Sequence, residues 1–552
     1  MLQAQSEAWQ ELPNPVETNA AAWAKIKKPQ AGWGNTNIRY KKETPATNAR
    51  PQKQMEITAW RGEKVSAQLI VWTPLPLESL SISVNELRNG PHAIPDSAIK
   101  TGFVRYVMTD GLNKDGKGTA GYRDKRDFDS TLVADIIDHL ADTLPVAART
   151  TQPVWVSVKI PVETPPGLYS GTVTVKNAGL PLFDLRLRIR VQDRALPASP
   201  SFHLDLWQNP YAVARYHGVE LFSEAHFEAM RPVMRRYADI GGKVITASIT
   251  HKPWDGQTYD PFESMVTWLK KADGTWLFDY TAFDLWVEFM MSLGVTEQIN
   301  CYSMIPWRMS FQYFDQASNS FKYLDTKPGD KAYKEFWSAM LRSFASHLKE
   351  KGWFDLTQAA IKVVKEAVPD FKISFAGNYH PELLHQIDDY CIPIGDEYPA
   401  DSIRQRQSEG KITTYYTCCV ESYPNTYTFS PPAEAEWIGW YVARKHLDGY
   451  LRWALNSWVE SPLRDSRFRT WGAGDTYLLY PDGRSSVRFE KLAEGITAYE
   501  KINILRKEFE EKGDTRKLKR LNDILNTFVL PDEGPFPAKE TVENARRALE
   551  QL

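Results

Sequence analysis

With 552 residues the chain is too long for one ordinary domain, and we predict two or three. Its 67 Lys and Arg nearly balance its 69 Asp and Glu, so no global field favours nucleic acid or an anionic membrane, and a neutral partner is expected. No apolar run approaches the roughly 20 residues that span a bilayer, and the four cysteines lack the spacing of a metal site or a disulfide framework. These patterns predict no membrane span, no cysteine metal site, and buried free thiols. They leave the oligomeric state open.

Residues 1–197 are predicted to form an antiparallel β-sandwich. Apolar and polar side chains alternate along residues 185–192, a period of two that buries one face of a strand. Residues 171–175 form the preceding strand of a meander, with turn residues between the two strands. Residues 64–72 and 151–162 are further strand candidates, and strands of this kind stack into a sandwich.

Residues 198–487 show strand and helix patterns in alternation, as in a (β/α)8 barrel. Seven strands are predicted, at residues 202–207, 244–249, 298–302, 371–376, 389–394, 411–419 and 450–454. A closed barrel of this type needs eight. The fourth is predicted to be absent, because the helix at 331–350 passes through Gly352 to Thr357 directly into a helical stretch at 358–368. Residues 488–552 are predicted to form charged helices that pack on the barrel.

The run from Asp448 to Tyr480 combines aromatic and hydrogen-bonding side chains at a density that a purely structural loop rarely needs. It contains Asn456, Trp458, Arg464, Asp465, Arg467, Trp471 and Asp475. This mixture suits a sugar, because one apolar face of the ring can lie on an indole while its hydroxyls need polar or charged partners. The alternative is a buried, Trp-rich strand with ordinary surface ion pairs.

Five segments are long enough to compare with known families: KGWFDLT, TTYYTCC, PNTYTFSPPAEAEWIGWYVAR, GYLRWALNSWVESPLRDSRFRTWGAGDTYLLYP and EGITAYEKINIL. Together they resemble glycoside hydrolase family 123, the β-N-acetylgalactosaminidases, over roughly residues 200 to 510. The amino-terminal β domain fits the layout of that family. The resemblance implies an exo-acting enzyme that removes terminal β-linked N-acetylgalactosamine from glycans without metal or organic cofactor.

The resemblance also implies a retaining, substrate-assisted mechanism. The carbonyl oxygen of the sugar's own 2-acetamido group attacks the anomeric carbon and forms an oxazolinium-like intermediate, an exception to the usual two-carboxylate scheme. An Asp orients the acetamido N–H, while an adjacent Glu protonates the leaving oxygen and then activates water. This route gains from the high effective molarity of an intramolecular nucleophile.

In the family this Asp–Glu pair ends the fourth strand, shortly after KGWFDLT. Here Gln358 follows Thr357 directly, so the expected pair is missing between Thr357 and Gln358. Three explanations are open: the sequence omits residues that the natural chain has, the chain has been shortened, or it is a natural homologue that has lost catalysis. We favour the first, because removing one strand from a closed barrel exposes the backbone groups of its neighbours.

Other carboxylates follow predicted barrel strands. Asp396 and Glu397 follow the strand at 389–394 and would lie on the catalytic face, although adjacent acids in a loop are usually surface charge. Glu421 and Glu460 also follow strands. The rival function is a non-catalytic carbohydrate-binding homologue that lacks the acid–base pair. A purely structural scaffold explains the aromatic residues at the strand ends poorly.

Ten residues at predicted strand ends are the expected sugar-binding residues: Trp207, Asn209, His251, Tyr302, Asn378, His380, Tyr416, Trp453, Asn456 and Trp458. Asn378 and Asn456 are favoured, because a buried Asn at a strand end needs hydrogen-bond partners that a sugar can supply. For His251 and His380 the alternative is a capping or filling role, and Trp453 fits the core equally well.

The first residues, MLQAQSEAW, lack a hydrophobic signal core and look like a start placed just after a removed signal peptide. We therefore expect a periplasmic or secreted protein of a bacterium, whose partner is a glycan with a terminal N-acetylhexosamine. Discrimination between the galacto and gluco epimers stays open.

Overall fold

The structure, a computed structural model, describes residues 9–47, 50–121, 123–124, 126, 128–359, 362–530 and 536–552. Residues 1–8, which hold most of the expected start of the processed chain, lie outside these ranges. So do Ala360 and Ile361, which follow the junction at which the Asp–Glu pair is expected.

The described residues of the amino-terminal domain form a short helix and twelve strands in chain order. They are α1 (Ala20–Trp23), β1 (Gln30–Gly34), β2 (Gln54–Arg61), β3 (Lys64–Thr73), β4 (Leu77–Val84), β5 (Leu87–Asn89), β6 (His92–Ile94), β7 (Ile99–Thr109), β8 (Thr131–Asp138), β9 (Leu144–Val146), β10 (Thr150–Lys159), β11 (Gly167–Asn177) and β12 (Leu180–Ala195). One sheet has the order β1-β3-β10-β7-β8 and the other β2-β12-β11-β4-β9. Their facing apolar side chains form one core, so the predicted sandwich is confirmed.

The alternating pattern of β12 acts as predicted. Leu185, Leu187 and Ile189 are buried in the sandwich, while Arg186 and Arg190 between them are exposed. β12 pairs with β11 antiparallel, which confirms the meander, and with β2 parallel. This parallel pair is the one departure from antiparallel pairing among the strand pairs described in the domain.

Eight parallel strands form the second domain, with the helices outside them. The strands are β13 (His203–Leu206), β14 (Val244–Ser248), β17 (Gln298–Tyr302), β20 (Thr357–Ala359), β21 (Lys372–Ala376), β22 (Asp389–Pro393), β23 (Ile412–Tyr416) and β24 (Gly449–Arg452). Their order is β13-β24-β23-β22-β21-β20-β17-β14. A bridge between Leu204 and Gly242 brings β14 back to β13, so the predicted (β/α)8-type barrel is confirmed.

The prediction that the fourth strand is absent is wrong. Thr357 to Ala359 is a three-residue strand between β17 and β21, in register with Ile299 to Cys301 on one side. Thr357 and Gln358 are consecutive residues of this strand. The predicted helix at 358–368 is correspondingly shorter and spans Lys362–Ala367. A closed sheet needs a partner for both of its open edges, and this need outweighs the weak local pattern of Thr-Gln-Ala.

Ten helices follow in chain order among the described residues. They are α2 (Pro210–His217), α3 (Glu224–Asp239), α4 (Thr281–Ser292), α5 (Lys331–Lys351), α6 (Lys362–Ala367), α7 (Ala400–Ser408), α8 (Pro432–Lys445), α9 (Val487–Glu511), α10 (Thr515–Leu525) and α11 (Ala538–Leu549). Helices α8 and α9 cross where Gly439 faces Gly495, and a Cβ on either glycine would collide with the backbone of the other helix. The carboxy-terminal helices therefore pack on the barrel, as predicted.

Two further hairpins extend the loops at the carboxyl ends of the barrel strands. β15 (Thr267–Lys270) and β16 (Trp276–Asp279) follow β14, while β18 (Ser310–Asp315) and β19 (Ser320–Asp325) follow β17. They join into one four-stranded sheet beside the barrel. Directly before α9, a short strand, β25 (Ser485–Ser486), pairs with β8 and links the two domains.

Candidate functional site

An aromatic cluster lies at the carboxyl ends of three neighbouring barrel strands. Trp207 follows β13, Trp254 lies in the loop after β14, and Tyr302 ends β17. The Trp207 ring centroid is 4.4 Å from that of Tyr302 and 5.1 Å from that of Trp254, and Trp254 and Tyr302 are 5.3 Å apart. Trp207 and Tyr302 are half-buried, whereas Trp254 is buried.

Two more indoles continue this wall. Leu206 pairs with Arg452, so the next residues, Trp207 and Trp453, are neighbours at the ends of β13 and β24. The Trp453 ring meets Trp471 edge to face at 6.1 Å. Trp471 Nε1 donates to the carbonyl oxygen of Gln257 at 3.0 Å, in the loop that carries Trp254. We call Trp207, Trp254, Tyr302, Trp453 and Trp471 the aromatic cup.

A buried ion pair fixes the Trp453 side of the cup. Arg452 and Asp475 are fully buried, with a 2.6 Å contact between Arg452 Nη2 and Asp475 Oδ1. The other oxygen of Asp475 accepts a hydrogen bond from Trp453 Nε1 at 3.2 Å. Arg452 Nη1 also donates to Asn425 Oδ1 at 2.9 Å. These bonds satisfy the charges that the fold buries, and they hold the indole in one orientation.

The amino-terminal domain reaches this wall through residues 110–130. Arg123 Nη2 contacts Asp110 Oδ2 at 2.9 Å and donates to the Trp471 carbonyl oxygen at 2.5 Å. Asp110 Oδ1 accepts from the backbone N–H of Ala473 at 3.0 Å. The backbone N–H of Thr119 donates to the Cys419 carbonyl oxygen at 2.6 Å. The sandwich domain therefore holds two loops of the barrel face in place.

A polar network lies under the cup, inside the barrel. Asp205 Oδ2 accepts from Trp207 Nε1 at 3.4 Å and from Asn300 Nδ2 at 3.3 Å. Gln298 Nε2 donates to Asn300 Oδ1 at 2.9 Å and to Asp389 Oδ2 at 2.7 Å. Burial, and secondly the charge of Asp389, raise the pKa of Asp205 to about 7. Asp205 was not predicted as a site residue, although an acid in the middle of the apolar strand His-Leu-Asp-Leu was the signal for it.

Two partly buried carboxylates, Asp396 and Glu421, lie in the loops that follow β22 and β23. Asp396 Oδ2 accepts from the backbone N–H of Tyr379 at 3.0 Å, and Glu421 Oε2 accepts from the backbone N–H of Cys418 at 2.7 Å. Burial raises the pKa of Tyr416, and the charges of Cys418, Cys391, Glu421 and Asp396 raise it further. Burial also raises the pKa of Glu421.

The predicted pair Asp396–Glu397 is split by the structure. Glu397 is exposed and forms an ion pair with Lys445 of α8, outside the barrel, whereas Asp396 is bonded to the backbone of Tyr379. The structure does not bring Glu397 to the aromatic cup. Glu460 is exposed as well.

Three predicted sugar ligands have their polar atoms bonded inside the protein. Asn456 accepts from the Asn209 N–H at 2.9 Å and donates to the Asn209 carbonyl oxygen at 2.8 Å. The Asn209 side chain caps α2 by accepting from Ala212 N–H at 3.1 Å. Trp458 is fully buried and donates to the Leu479 carbonyl oxygen at 2.7 Å. The expectation that Asn456 needs a sugar to satisfy it is therefore corrected, because Asn209 satisfies it.

Asn378 and His380 lie after β21. Asn378 is exposed rather than buried, which corrects the reason given for favouring it. His380 is half-buried, with Nδ1 3.4 Å from Glu382 Oε1. His251, after β14, donates from Nδ1 to Glu263 Oε2 at 2.6 Å. The cysteine prediction is corrected as well: Cys301 and Cys391 are buried, but Cys418 and Cys419 are half-buried beside Glu421.

A cavity of about 470 Å³ lies between the sandwich and the barrel, away from the cup. Trp155, Arg236 and Glu490 are among its lining residues. The lining also includes Leu196 and Pro200, which precede β13, so the cavity lies toward the opposite end of the barrel. Barrel enzymes use the carboxyl ends of their strands, so the aromatic cup and not this cavity marks the candidate active site.

The sequence was compared with known families and structures. Residues 207–505 match the catalytic domain of glycoside hydrolase 123, and residues 33–177 match the glycoside hydrolase 123 N-terminal domain. The chain belongs to glycoside hydrolase family 123. The match to the catalytic domain includes the aromatic cup and most of α9.

A family 123 glycoside hydrolase from Clostridium perfringens, studied for glycolipid glycan hydrolysis, superimposes with a TM-score of 0.83. It is 26% identical, over 95% of this chain and 97% of that chain. A family 39 glycoside hydrolase from Bacteroides cellulosilyticus has a TM-score of 0.33 and 11% identity, over 70% of this chain and 79% of that chain. A Bacteroides ovatus GH5 xyloglucanase has a TM-score of 0.27 and 10% identity, over 81% of this chain and 98% of that chain. No match is found among curated proteins.

The Asp–Glu pair expected from the resemblance is not found in the described residues of the fourth strand. Thr357, Gln358 and Ala359 carry no carboxylate. Gln358 Oε1 is buried without a hydrogen-bond partner, and the neighbouring strand ends in an exposed Ala376. We call the β20 and β21 ends the open side of the cup, because their described residues carry no indole and β21 ends in the exposed Ala376.

Neither a metal cage nor a membrane span is found in the described part of the chain. None of its helices is both long and apolar enough to cross a bilayer. No group of three or more His, Cys, Asp or Glu side chains in those residues is arranged to hold a metal ion.

Proposed function

We propose that the protein is an exo-acting glycosidase that removes terminal β-linked N-acetylgalactosamine from glycans. The observation that carries this proposal is the aromatic cup at the carboxyl ends of the barrel strands of a family 123 chain. Indole and phenol rings supply flat apolar surfaces for the face of a pyranose ring. The glycolipid glycans cleaved by the Clostridium perfringens relative support glycans as the substrate class here.

The proposed reaction is retaining and substrate-assisted. The acetamido carbonyl oxygen of the bound sugar forms a bond to the anomeric carbon while the bond from that carbon to the glycosidic oxygen breaks. A carboxylic acid donates its proton to the leaving oxygen, and as carboxylate it then takes a proton from the water that opens the oxazolinium ring. This scheme needs one carboxyl group that is protonated before cleavage and one carboxylate that orients the acetamide N–H.

Glu421 and Asp396 are the pair that the described face offers for these two tasks. Burial raises the pKa of Glu421, which favours the protonated form that a general acid needs. Asp396 is half-buried and accepts a hydrogen bond from the backbone N–H of Tyr379. We assign the acid and base role to Glu421 and the orienting role to Asp396.

A second candidate function is supported by the fourth strand itself. Because Thr357 to Ala359 carries no carboxylate, a chain that kept the sugar site and lost cleavage would look like this one. Such a protein would bind the terminal N-acetylhexosamine in the aromatic cup without hydrolysing its glycosidic bond.

One pair of measurements separates the two candidates. The pure protein is incubated with an aryl β-N-acetylgalactosaminide, and binding of free N-acetylgalactosamine is titrated by calorimetry in parallel. Turnover supports the glycosidase, and binding without turnover supports the non-hydrolytic protein. Absence of both removes the sugar hypothesis. The gluco epimers of both ligands, run alongside, measure the epimer preference.

The assignment of Glu421 has its own variant. Glu421→Gln should lower kcat for the aryl glycoside by about 100-fold or more, because loss of a general acid–base group typically costs 10²–10⁴-fold. Glu460→Gln is the matched control, since Glu460 also follows a barrel strand but is exposed. Equal turnover of Glu421→Gln and wild type would remove Glu421 from the mechanism.

A further inference from the structure

The loop that follows β17 exposes apolar side chains on the rim of the aromatic cup. Trp307 is 71% exposed and Ile305 is 45% exposed, two residues apart in the segment 303–309. An indole is among the largest apolar side chains, and presenting most of it to water is unfavourable unless something covers it in function. Both residues are therefore candidates for contact with a ligand.

This loop is anchored to its neighbour by hydrogen bonds. The backbone N–H of Trp307 donates to the Pro253 carbonyl oxygen at 3.0 Å. The Thr250 hydroxyl donates to the Ser303 carbonyl oxygen at 3.2 Å. Because Pro253 is joined directly to Trp254, the Trp307 backbone is held beside one wall of the cup. The exposure of Trp307 therefore belongs to a tethered loop.

The order of the barrel strands places the loop that carries Trp307 between the loop that carries Trp254 and the open side of the cup. β17 lies between β14, whose following loop carries Trp254, and β20, which begins the open side. An exo-acting site buries the terminal sugar and leaves the rest of the glycan outside. Below the cup the barrel is filled by Asp205, Asn300 and Gln298, so the chain of sugars has to leave over the rim. Trp307 lies on this rim, in the loop that follows β17, the strand next to β20.

Resting on the proposed function, we infer that Trp307 is a stacking platform for the second sugar of the glycan, the one to which the terminal N-acetylhexosamine is attached. The ligand class is a neutral pyranose, because an indole offers a flat apolar face and no charge. Trp307 is thus a binding residue for the leaving portion of the substrate and not for the sugar in the cup. It sets preference between a bare N-acetylhexosamine and an extended glycan.

The test compares two ligands on the full chain. One is free N-acetylgalactosamine, and the other is a disaccharide that carries β-linked N-acetylgalactosamine through sulfur, so that it resists hydrolysis. Trp307→Ala should weaken disaccharide binding by about tenfold and change monosaccharide binding by less than about twofold, because one stacking contact is lost outside the cup. Trp307→Tyr should recover most of the disaccharide affinity.

The control variant is Phe321→Ala, an aromatic residue that is 65% exposed. Phe321 lies near the tip of the β18–β19 hairpin, at the far end from the loop that carries Trp307. It should leave both affinities unchanged. Equal weakening of both ligands by Trp307→Ala, or no weakening of either, would overturn the rim assignment while leaving the sugar site intact. Failure of the wild-type chain to bind either ligand would overturn the proposed function and the inference together.

Discussion

The two sides of the barrel face are built differently. On the side of β13, β24 and β14, hydrogen bonds join the strand-end side chains to neighbouring strands and loops, and indoles form the surface, although Asp205 Oδ1 and Arg452 Nε are buried without a partner. On the side of β20 and β21, the fourth strand has three residues, its Gln358 Oε1 is unsatisfied, and Ala376 and Asn378 are exposed. The first side carries the indoles of the cup. The second side is where the resemblance to the family leads us to expect the catalytic pair.

This difference separates binding from cleavage in the molecule. The residues that give the cup its shape belong to β17 or follow β13, β14 and β24, so the proposed sugar site does not depend on β20. The barrel closes around Thr357 to Ala359, because these three residues pair with the backbones of both β17 and β21.

The largest expected effect is a loss of stability on the side of β13, β24 and β14. Asp475→Asn leaves the Arg452 guanidinium buried without its counter-charge, which should lower the free energy of unfolding by about 3–5 kcal/mol. Chemical denaturation measures this change. The control is Asp523→Asn, which removes the exposed helix pair with Lys519 and should cost less than about 1 kcal/mol. Similar losses in the two variants would show that the Arg452–Asp475 pair does not hold the wall.

The next effect compares the two strand-end asparagines. Asn456→Ala leaves the N–H of Asn209 buried without a partner and removes the second hydrogen bond to its carbonyl oxygen, at a cost of about 2–4 kcal/mol in unfolding free energy. Asn378→Ala on the open side should change stability by less than about 0.5 kcal/mol, because the side chain is exposed.

The same pair of variants also sharpens the assignment of the site. If Asn378 contacts the sugar, Asn378→Ala weakens N-acetylgalactosamine binding without loss of stability. A stability loss in Asn378→Ala as large as that in Asn456→Ala would contradict the contrast between the two sides.

Local sequence patterns predict much of the fold. The alternation along β12 and the helical spacing in α5 can each be recognised from the residues of one element. The observed bounds of α5, Lys331–Lys351, differ from the predicted ones by one residue. The strand Thr357–Ala359 carries no such pattern, because its strand state comes from its two neighbours. A three-residue strand can be recognised only once the closure of the barrel is considered.

The candidate site divides in the same way. The cup members Trp207, Tyr302 and Trp453 were predicted from their positions at strand ends, and their mutual contacts follow from barrel geometry. The bonds between Asn456 and Asn209 join residues 247 positions apart, so no local pattern could show that Asn456 is already satisfied. Asp205 was missed because an acid on a buried strand looks like an exception until its partners are seen.

The smallest effect concerns the acid under the cup. Burial raises the pKa of Asp205 to about 7 from an ordinary 3.8, with Asp389 and His203 as the charged neighbours. Between these two values the folded protein keeps a proton that the unfolded chain has lost, so the contribution of Asp205 to stability falls as pH rises, by about 1.4 kcal/mol per pH unit.

Asp205→Asn cannot ionise and keeps an acceptor for Trp207 and Asn300. Its unfolding free energy, relative to wild type, should therefore increase by roughly 2–3 kcal/mol from pH 5 to pH 7. Asp523→Asn should show no such increase, because Asp523 is exposed. A pH-independent difference for Asp205→Asn would mean that Asp205 is already ionised in the folded protein at pH 5, and that the network of Gln298, Asn300 and Asp389 tolerates a charge beneath the indoles.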